Sequence, residues 1–301
     1  MLTDGIINVY KEKGYTSHDV VAKMRGILRI RKIGHTGTLD PDATGVLPVC
    51  IGKATKLVDM ITDKDKVYEA VCKLGITTDT QDMSGTVIRT SEVRADFTRI
   101  KEVINGYIGE YLQLPPMYSA VKVDGKRLYE LARQGREIER ERRRVIIKDI
   151  SLIDYSEENH EFTVVVACSK GTYIRTLLHD IGETLGCGAA MKSLLRTAVG
   201  SFTLENALKL SEIEKKAAED RLLPFIVPVD RMFQAYDKVN IKADNHKLVY
   251  NGNAFSIQHT IEEKQSFQTE LIRVYDEADH FVGIYRFDKE AYLFKPVKMF
   301  L

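Results

Sequence analysis

The chain has 301 residues and a formal net charge of +1, with 44% of its residues hydrophobic and 29% charged. That composition is typical of a globular protein, and at about 150 residues per domain it predicts two domains. The four cysteines are far apart and form no C-x-x-C pair. They argue against a disulfide framework or a zinc site and favour a reducing compartment. We expect no signal peptide and no membrane span, because no apolar run approaches the length of either.

Basic residues are concentrated in two places on this nearly neutral chain. The segment Lys23–Lys32 has five basic residues and no acidic one, and Lys122–Lys148 has ten basic and five acidic residues. Local basic patches are typical of a protein that binds a polyanion on one face. The alternative is two ordinary solvated charged surfaces.

Strand and helix signals alternate over the first part of the chain. Gly5–Tyr10 is a short apolar strand candidate, and Thr16 with Asp19 has capping-box spacing ahead of a helical apolar repeat. Gly34–Gly45 contains three glycines and a proline, which predicts a loop. The apolar run Val46–Ile51 then predicts a buried strand.

Further elements follow along the chain, and a small β-rich domain is expected at its end. Pro224 and Pro228 mark a linker before that domain. The predicted elements are a strand over Val67–Leu74, a helix over Phe97–Tyr107, a short helix near Leu128–Gln134, a strand over Phe162–Cys168, a helix over Ile174–Leu185, a helix from a capping box at Ser211–Glu214 to about Leu223, and a hairpin of Leu271–Tyr275 with Phe281–Arg286.

The Gly34–Gly45 loop is the strongest candidate for a chemical site. It carries Asp40 and Asp42 among glycines, which let a backbone approach a ligand closely. A carboxylate is ionised at neutral pH and can act as a nucleophile or base without an activating partner. The alternative is that Asp40-Pro41 is an ordinary turn.

Three other side chains could contribute to a site. Arg175 lies in the first turn of a predicted helix that follows a strand, where it could pair with a carboxylate or a phosphate or remain a surface arginine. Tyr68 lies on the apolar face of a predicted strand, which also suits a packed core residue. His35 and His179 have no second ligand at metal spacing, so we expect no metal site.

Four separate segments of the chain carry distinctive motifs. They are Gly34–Pro41 with Ala43–Pro48, Lys66–Tyr68 with Leu74-Gly75 and Thr78–Thr80, Pro115–Lys122 with Gly125–Tyr129, and Lys170–Arg175. Over residues 5–200 these segments resemble the TruB family of tRNA pseudouridine synthases. The tail after Val229 resembles that family's small PUA-type domain in size, position and strand pattern. Where the family usually has Asp-Lys-Pro, this chain reads Tyr10-Lys11-Glu12.

The resemblance implies roles for individual residues. Asp40 would be the catalytic carboxylate, Tyr68 would stack on the target base and move the C5 proton, and Arg175 would pair with Asp40. His35 would touch the flipped nucleotide. The full set of implied substrate-binding residues is His35, Tyr68, Tyr173, Leu194, Lys11, Arg142, Arg143 and Arg144.

The resemblance also implies a fold and an organisation. We expect an α+β pseudouridine-synthase fold with a mixed, mainly antiparallel sheet flanked by helices and loops, plus a small C-terminal β-rich PUA-type domain. The catalytic domain would span residues 1–228, with a basic, thumb-like insertion at about 115–148. The RNA-binding domain would span residues 229–301.

The implied activity is that of an isomerase. It would convert uridine to pseudouridine at position 55 in the T-loop of tRNA by base flipping and exchange of the C1′–N1 bond for a C1′–C5 bond. This change needs no cofactor or metal. Whether Asp40 attacks C6, C1′ or the 2′ proton is open at this point. The expected partner is the T-arm of tRNA, and we expect a cytoplasmic monomer with no membrane and no obligate protein partner.

Two other functions compete with this interpretation. An RNA-binding or folding-assistant protein would need the basic segment and the tail, but not Asp40, Tyr68 and Arg175 together. A hydrolase would use Asp40 and Asp42 as a carboxylate pair with separate roles.

Overall fold

The computed structural model describes residues 4–123, 125–262 and 266–301. The α-helices are α1 (Ser17–Leu28), α2 (Val58–Thr62), α3 (Phe97–Asn105), α4 (Leu128–Ala132), α5 (Ile174–Thr184), α6 (Leu210–Ala218) and α7 (His246–Tyr250). The strands are β1 (Gly5–Lys11), β2 (Ile33–His35), β3 (Thr44–Ile51), β4 (Lys66–Leu74), β5 (Ile76–Thr78), β6 (Val87–Thr90), β7 (Gly109–Gln113), β8 (Lys122–Val123), β9 (Lys126–Arg127), β10 (Arg143–Ser156), β11 (Glu161–Cys168), β12 (Ala189–Val199), β13 (Phe202–Thr203), β14 (Ile226–Val227), β15 (Asp237–Asn240), β16 (Phe255–Ser256), β17 (Leu271–Tyr275), β18 (Phe281–Asp288) and β19 (Leu293–Met299).

Ten strands form one large sheet that carries the candidate site. Its order is β14-β1-β3-β12-β4-β11-β10-β7, with β2 added to β3 and β13 added to β12. The pairing of β3 with β12 is parallel, and the other pairings in this sheet are antiparallel. Helices α3 and α5 pack against this sheet. The α+β class with a mixed, mainly antiparallel sheet is therefore confirmed.

The C-terminal part of the chain forms a second sheet with its own core. Five strands pair in the order β15-β17-β18-β19-β16, and their core includes Val239, Ile272, Tyr285 and Phe294. A further apolar cluster, here called the junction cluster, joins this sheet to the large one. It contains Ile6, Val46, Val229, Phe233, Ile284 and Phe300 among its buried members. The expected C-terminal β-rich unit is confirmed.

Local sequence signals explain several element boundaries. The Thr16 hydroxyl accepts from the Asp19 N–H and the Asp19 carboxylate accepts from the Thr16 N–H, so the predicted capping box begins α1. In β4 the predicted alternation is present, since Tyr68, Ala70 and Cys72 are buried on one face.

Two predicted boundaries were wrong. Helix α6 begins at Leu210, where Glu212 accepts from the Lys209 N–H, and it ends at Ala218; the capping box predicted at Ser211–Glu214 does not start it. Leu210 and Ile213 are the residues of this helix that are buried. The expected linker is not free either, because β14 pairs with β1 and the Ile226 side chain is buried.

The segment predicted as a long basic insertion contains regular secondary structure. It holds the ribbon of β8 and β9 and helix α4, and from Arg143 onward it belongs to the large sheet as β10. Residue 124 of this segment lies outside the described residues.

The four cysteines lie in the interior of the protein. Cys50, Cys72, Cys168 and Cys187 are all buried free thiols. In the described part of the chain no helix has the length and apolar character needed to cross a membrane. Within the same residues, no group of His, Cys, Asp and Glu side chains is arranged to hold a metal ion.

Candidate active site

The loop between β2 and β3 is fixed from several sides. The Thr36 hydroxyl donates to the Pro48 carbonyl at 3.0 Å, and the Leu39 N–H donates to the Ser17 hydroxyl at 3.0 Å. The Pro41 carbonyl accepts from the Gly14 N–H at 2.9 Å and from the Lys11 ammonium at 3.0 Å. Because the main chain on both sides of Asp40 is tied to the core, the carboxylate has a defined position.

Arg175 lies between two carboxylates. Its Nη1 is 3.3 Å from Asp40 Oδ2 and 3.5 Å from Asp82 Oδ2. The Asp40 side chain keeps 36% of its surface exposed, whereas the Asp82 and Arg175 side chains keep 15% and 6%. Asp40 is therefore the member of this trio that a ligand can reach.

Burial and charge act in opposite directions on Asp40. Desolvation in the cleft raises the pKa of the Asp40 carboxyl, and the Arg175 guanidinium is the strongest influence that opposes this rise. A raised pKa makes the carboxylate a better base and nucleophile, while the guanidinium favours its ionised form.

Asp82 was missed by the sequence prediction. Its Oδ1 accepts from the Thr80 hydroxyl at 2.8 Å and from the Ser84 N–H at 3.0 Å. The same turn is tied to β12 by hydrogen bonds between the main chains of Gln81 and Met83 and that of Met191. The spacing of residues along the chain could not reveal Asp82 as a partner of Arg175. The only signal is that its polar turn directly follows the segment ending at Thr80, which carries part of the family resemblance.

Tyr68 and Leu194 come from neighbouring strands and form part of the apolar floor. Both are buried in one cluster with Leu39 and Ala43, the residues that flank the Asp40 turn. Burial raises the pKa of the Tyr68 hydroxyl, and the Arg196 guanidinium beside it opposes that rise. The strand pairing of β4 with β12 thus brings both predicted pocket residues to the loop.

Tyr173 immediately precedes α5, whose second residue is Arg175. The Tyr173 N–H donates to Gln113 Oε1 at 2.8 Å, and its carbonyl accepts from Gln113 Nε2 at 2.9 Å. The Tyr173 ring lies with its centroid 5.9 Å from the Arg175 Cζ, and burial raises the pKa of its hydroxyl. The structure therefore brings Tyr173 to the same guanidinium as Asp40.

His35 lies at the start of the loop as a neutral side chain. Its Nδ1 accepts from the Gly37 N–H at 3.3 Å, and its ring meets the edge of His18 at 5.1 Å. Burial lowers the pKa of His35 to about 4, with smaller contributions from His18 and Arg196. Since Nδ1 accepts a hydrogen bond, the neutral ring carries its proton on Nε2.

Lys11 does not face outward as a substrate-binding residue would. The side chain is fully buried, and its ammonium donates to the carbonyls of Glu12, Tyr15 and Pro41. Burial lowers the pKa of Lys11 to about 8. One of these three carbonyls, that of Pro41, belongs to the loop that carries Asp40, so Lys11 supports that loop from the interior.

Of the three predicted RNA-binding arginines, Arg143 and Arg144 begin β10 and Arg142 directly precedes it. Arg142 Nη1 donates to the Leu112 carbonyl at 2.9 Å, Arg144 pairs with Glu110, and Arg143 is exposed. Asp42 is 64% exposed and lies 3.9 Å from Lys13 Nζ. It does not share the guanidinium with Asp40, so the hydrolase interpretation loses the pair on which it depended.

The arrangement as a whole suits a planar, neutral ligand. A partly exposed carboxylate, backed by a buried guanidinium, faces a floor formed by Tyr68 and Leu194. An aromatic face stacks on a heterocycle, and the carboxylate can react with an atom at its edge or on the attached sugar.

Comparisons with known proteins match most of the chain. The family model for the N-terminal domain of TruB family pseudouridylate synthases matches residues 25–174, and the model for the C-terminal domain of tRNA pseudouridylate synthase B matches residues 175–234. The chain is 54% identical over 306 residues to the tRNA pseudouridine synthase B of Lachnoclostridium phytofermentans, covering 99% of this chain and 100% of that protein. It is 47% identical over 281 residues to the same-named protein of Alkaliphilus oremlandii, covering 93% and 92%.

Solved structures show the same fold. A Cbf5-Nop10-Gar1 complex matches with a TM-score of 0.72 and 27% identity, covering 99% of this chain and 85% of that chain. An H/ACA RNP bound to a substrate RNA containing 2′-deoxyuridine matches with a TM-score of 0.70 and 25% identity, again covering 99% and 85%. The likeness extends over both sheets of this chain.

Proposed function

The chain belongs to the TruB family of pseudouridylate synthases, and from this premise we propose that it isomerises uridine to pseudouridine at position 55 in the T-loop of tRNA. The observation that carries the proposal is the Asp40 carboxylate, partly exposed and 3.3 Å from the buried Arg175 guanidinium, with Tyr68 in the same cluster as Leu39 of the Asp40 loop. Asp40 is the catalytic carboxylate, and Arg175 holds it in place.

The chemistry balances without a co-reactant. The C1′–N1 bond of uridine breaks, a C1′–C5 bond forms, and the proton lost from C5 is replaced by one gained at N1. Atoms and electrons are conserved, so side chains that bind the base and move one proton are enough. Asp40 supplies the carboxylate that promotes the glycosidic exchange.

The base must leave the RNA stack to reach Asp40. Extruding a nucleotide costs a few kcal/mol, which stacking and hydrogen bonds in the pocket offset. Tyr68 offers its ring to the uracil, and Leu194 and Tyr173 close the pocket from β12 and the start of α5. Tyr68 also carries a hydroxyl that can relay the C5 proton.

Neutral His35 suits a position beside the extruded nucleotide. Because the pKa of His35 is lowered to about 4, the ring is uncharged at neutral pH and can stack against bases or donate from Nε2. Its position at the start of the Asp40 loop supports a role next to the nucleotide rather than on the reacting bond.

The outer surfaces contact the rest of the tRNA. Arg142, Arg143 and Arg144 offer phosphate contacts at the edge of the large sheet, as part of the basic segment at about 115–148. The C-terminal unit, residues 229–301, adds RNA contacts as a PUA-type domain beside a catalytic domain of residues 1–228. The protein works as a cytoplasmic monomer without an obligate protein partner or membrane.

The direct test is incubation with an unmodified tRNA transcript and with a T-arm stem-loop, followed by mapping of pseudouridine. Asp40→Asn keeps the size of the side chain and removes its charge. We expect it to lower the single-turnover rate by at least about a thousandfold, because the reaction then lacks its carboxylate. Binding of the transcript should stay within a few-fold of wild type.

Asp42→Asn is the matched control, since Asp42 is an exposed neighbour in the same loop. It should retain the wild-type rate within about twofold. An active Asp40→Asn variant, or wild-type protein that leaves the T-loop uridine unchanged, would contradict the proposed function.

A further inference from the structure

Arg196 is a fully buried cation that the proposed reaction does not yet use. Only 1% of its surface is exposed, and it is the largest of the fully buried side chains. It lies on β12, where its main chain is paired with Tyr68 of β4 on one side and with Gly45 of β3 on the other. Its position is therefore central to the sheet and next to the site.

The guanidinium of Arg196 donates hydrogen bonds to the main chain on both sides of Asp40. Nε donates to the Val46 carbonyl at 2.7 Å, after the loop. Nη2 donates to the Gly37 carbonyl at 3.3 Å, and Nη1 to the Thr38 carbonyl at 3.5 Å, within the loop and ahead of Asp40. One planar group thus joins the chain that enters the turn to the chain that leaves it.

The main chain of Arg196 is fitted to the same loop. Gly45 has a φ of +108°, and a Cβ there would lie 2.2 Å from the Arg196 carbonyl oxygen. Only glycine allows this backbone conformation and this close approach together. Arg196 is therefore seated on the loop through both its backbone and its side chain.

The guanidinium also acts on Tyr68. Strand pairing sets Tyr68 directly beside Arg196, and the guanidinium opposes the rise that burial causes in the pKa of the Tyr68 hydroxyl. A buried cation is costly unless polar groups surround it, and an apolar side chain of similar volume would avoid that cost. Arg196 makes its polar contacts with the loop that carries Asp40, and its main chain pairs with Tyr68.

We propose that Arg196 is a positioning residue for the isomerisation: its buried guanidinium clamps the Asp40 loop and orients the Tyr68 hydroxyl, so that carboxylate and ring keep one mutual geometry. The nucleotide itself does not touch it. The inference rests on the proposed function and adds a residue that acts through Asp40 and Tyr68.

The test separates chemistry from binding and from stability. Arg196→Lys keeps the charge but loses the planar fork, and Arg196→Met removes the charge at similar length. We expect the single-turnover rate on bound tRNA to fall about tenfold for the lysine variant and about a hundredfold for the methionine variant, because small misplacement of reacting groups is costly. The tRNA dissociation constant should stay within about threefold, since the outer contacts are intact.

Lys66→Met is the matched control. Lys66 is also buried, and its ammonium is held by the carbonyls of Thr62 and Lys64 at the end of α2 rather than by carbonyls of the Asp40 loop. Its thermal midpoint should fall while its rate stays within about twofold of wild type. If Lys66→Met loses as much of the single-turnover rate as an Arg196 variant with the same thermal midpoint, the proposal is overturned. The rate loss would then reflect a general loss of stability.

A wild-type rate in Arg196→Lys and Arg196→Met would overturn the inference as well. If Arg196→Met does not fold, the lysine variant alone decides, since it retains the cation. Wild-type protein that makes no pseudouridine would instead contradict the proposed function. The two failures are therefore distinguishable.

Discussion

Asp40 and His35 lie in one loop, and the fold gives them opposite charge behaviour. Desolvation acts on both: it raises the pKa of the Asp40 carboxyl and lowers the pKa of the His35 imidazole to about 4. Asp40 has the Arg175 guanidinium to sustain its charge, whereas His35 faces another imidazole and Arg196. The loop therefore presents one anion and one neutral ring.

The lowered pKa of His35 predicts a pH-dependent stability. The folded form binds a proton near pH 4 and the unfolded form near pH 6.5, so the free energy of unfolding falls as the pH drops from 6.5 towards 4. At pH 5.5 this residue alone should cost about 1.4 kcal/mol relative to pH 8. Urea unfolding at both pH values, compared between wild type and His35→Gln, measures it. Equal pH dependence in the two proteins would contradict the assignment.

At the residue scale, the sequence could predict the loop that carries Asp40 but not the buried side chains that hold this loop and its guanidinium in place. Asp40 and Arg175 were predicted from motifs, and the structure places them in contact. Asp82 and Arg196 were missed because a buried polar partner is defined by side chains that meet across strands. No spacing along the chain records that meeting.

Among the elements, β7 and β10 form the edge of the large sheet at which we propose that RNA binds. Their pairing opposes Arg143 to Gln113, the residue that holds Tyr173 in place at the start of α5. Arg144 opposes Leu112 and pairs with Glu110. The edge thus carries positive charge on a rigid strand adjacent to the pocket, where phosphates near an extruded nucleotide would lie.

Replacing Arg142, Arg143 and Arg144 together with glutamine should weaken tRNA binding at least tenfold at about 0.1 M salt. The slope of log affinity against log salt concentration should become shallower by about two to three, since each phosphate contact contributes close to one. Filter binding over a salt series measures both quantities. The single-turnover rate at saturating protein should change little.

The control replaces an equal number of basic residues on another surface, namely Lys215, Lys216 and Arg221, with glutamine. These lie in or just after α6. If both triple variants change the salt slope equally, net charge rather than the β7–β10 edge determines binding. An unchanged slope in the arginine variant would remove the edge from the interface.

Prediction of the elements succeeded where a local pattern exists. The alternation in Val67–Leu74 and the capping box at Thr16 were sufficient, because period and hydrogen-bonding spacing are properties of a few neighbouring residues. The two prolines predict a linker where the two-residue strand β14 lies. Its partner β1 is near the start of the chain, so no pattern among the residues next to β14 distinguishes this strand from a turn.

For the whole molecule, the junction cluster is an apolar contact that joins the large sheet to the C-terminal sheet. Phe233 stacks with Tyr236 and Phe281 and contacts Phe300, while Ile6 and Val46 join the same cluster from the large sheet. Apolar burial shared by two sheets couples their stabilities. We therefore expect heat to unfold both in one transition.

Phe233→Ala should break that coupling. Removing a buried phenylalanine ring costs about 3–5 kcal/mol, and here the loss falls on the contact between the sheets. Calorimetry should show a lower first midpoint and a separate transition for the C-terminal sheet. Phe97→Ala, at a phenylalanine that is 43% exposed, should leave a single transition near the wild-type midpoint. A single shifted peak for Phe233→Ala would argue against the junction cluster as the link.

The parallel pairing of β3 with β12 has a consequence for protein synthesis. Arg196 reaches back 150 residues to the Val46 carbonyl, and Arg175 must arrive before Asp40 has its cation. Contacts of such separation form late, because the intervening loop must first be closed. On the ribosome, a nascent chain that ends before β12 would hold an Asp40 loop without its clamp. The emerging enzyme would stay inactive towards tRNA until about two-thirds of it has been translated.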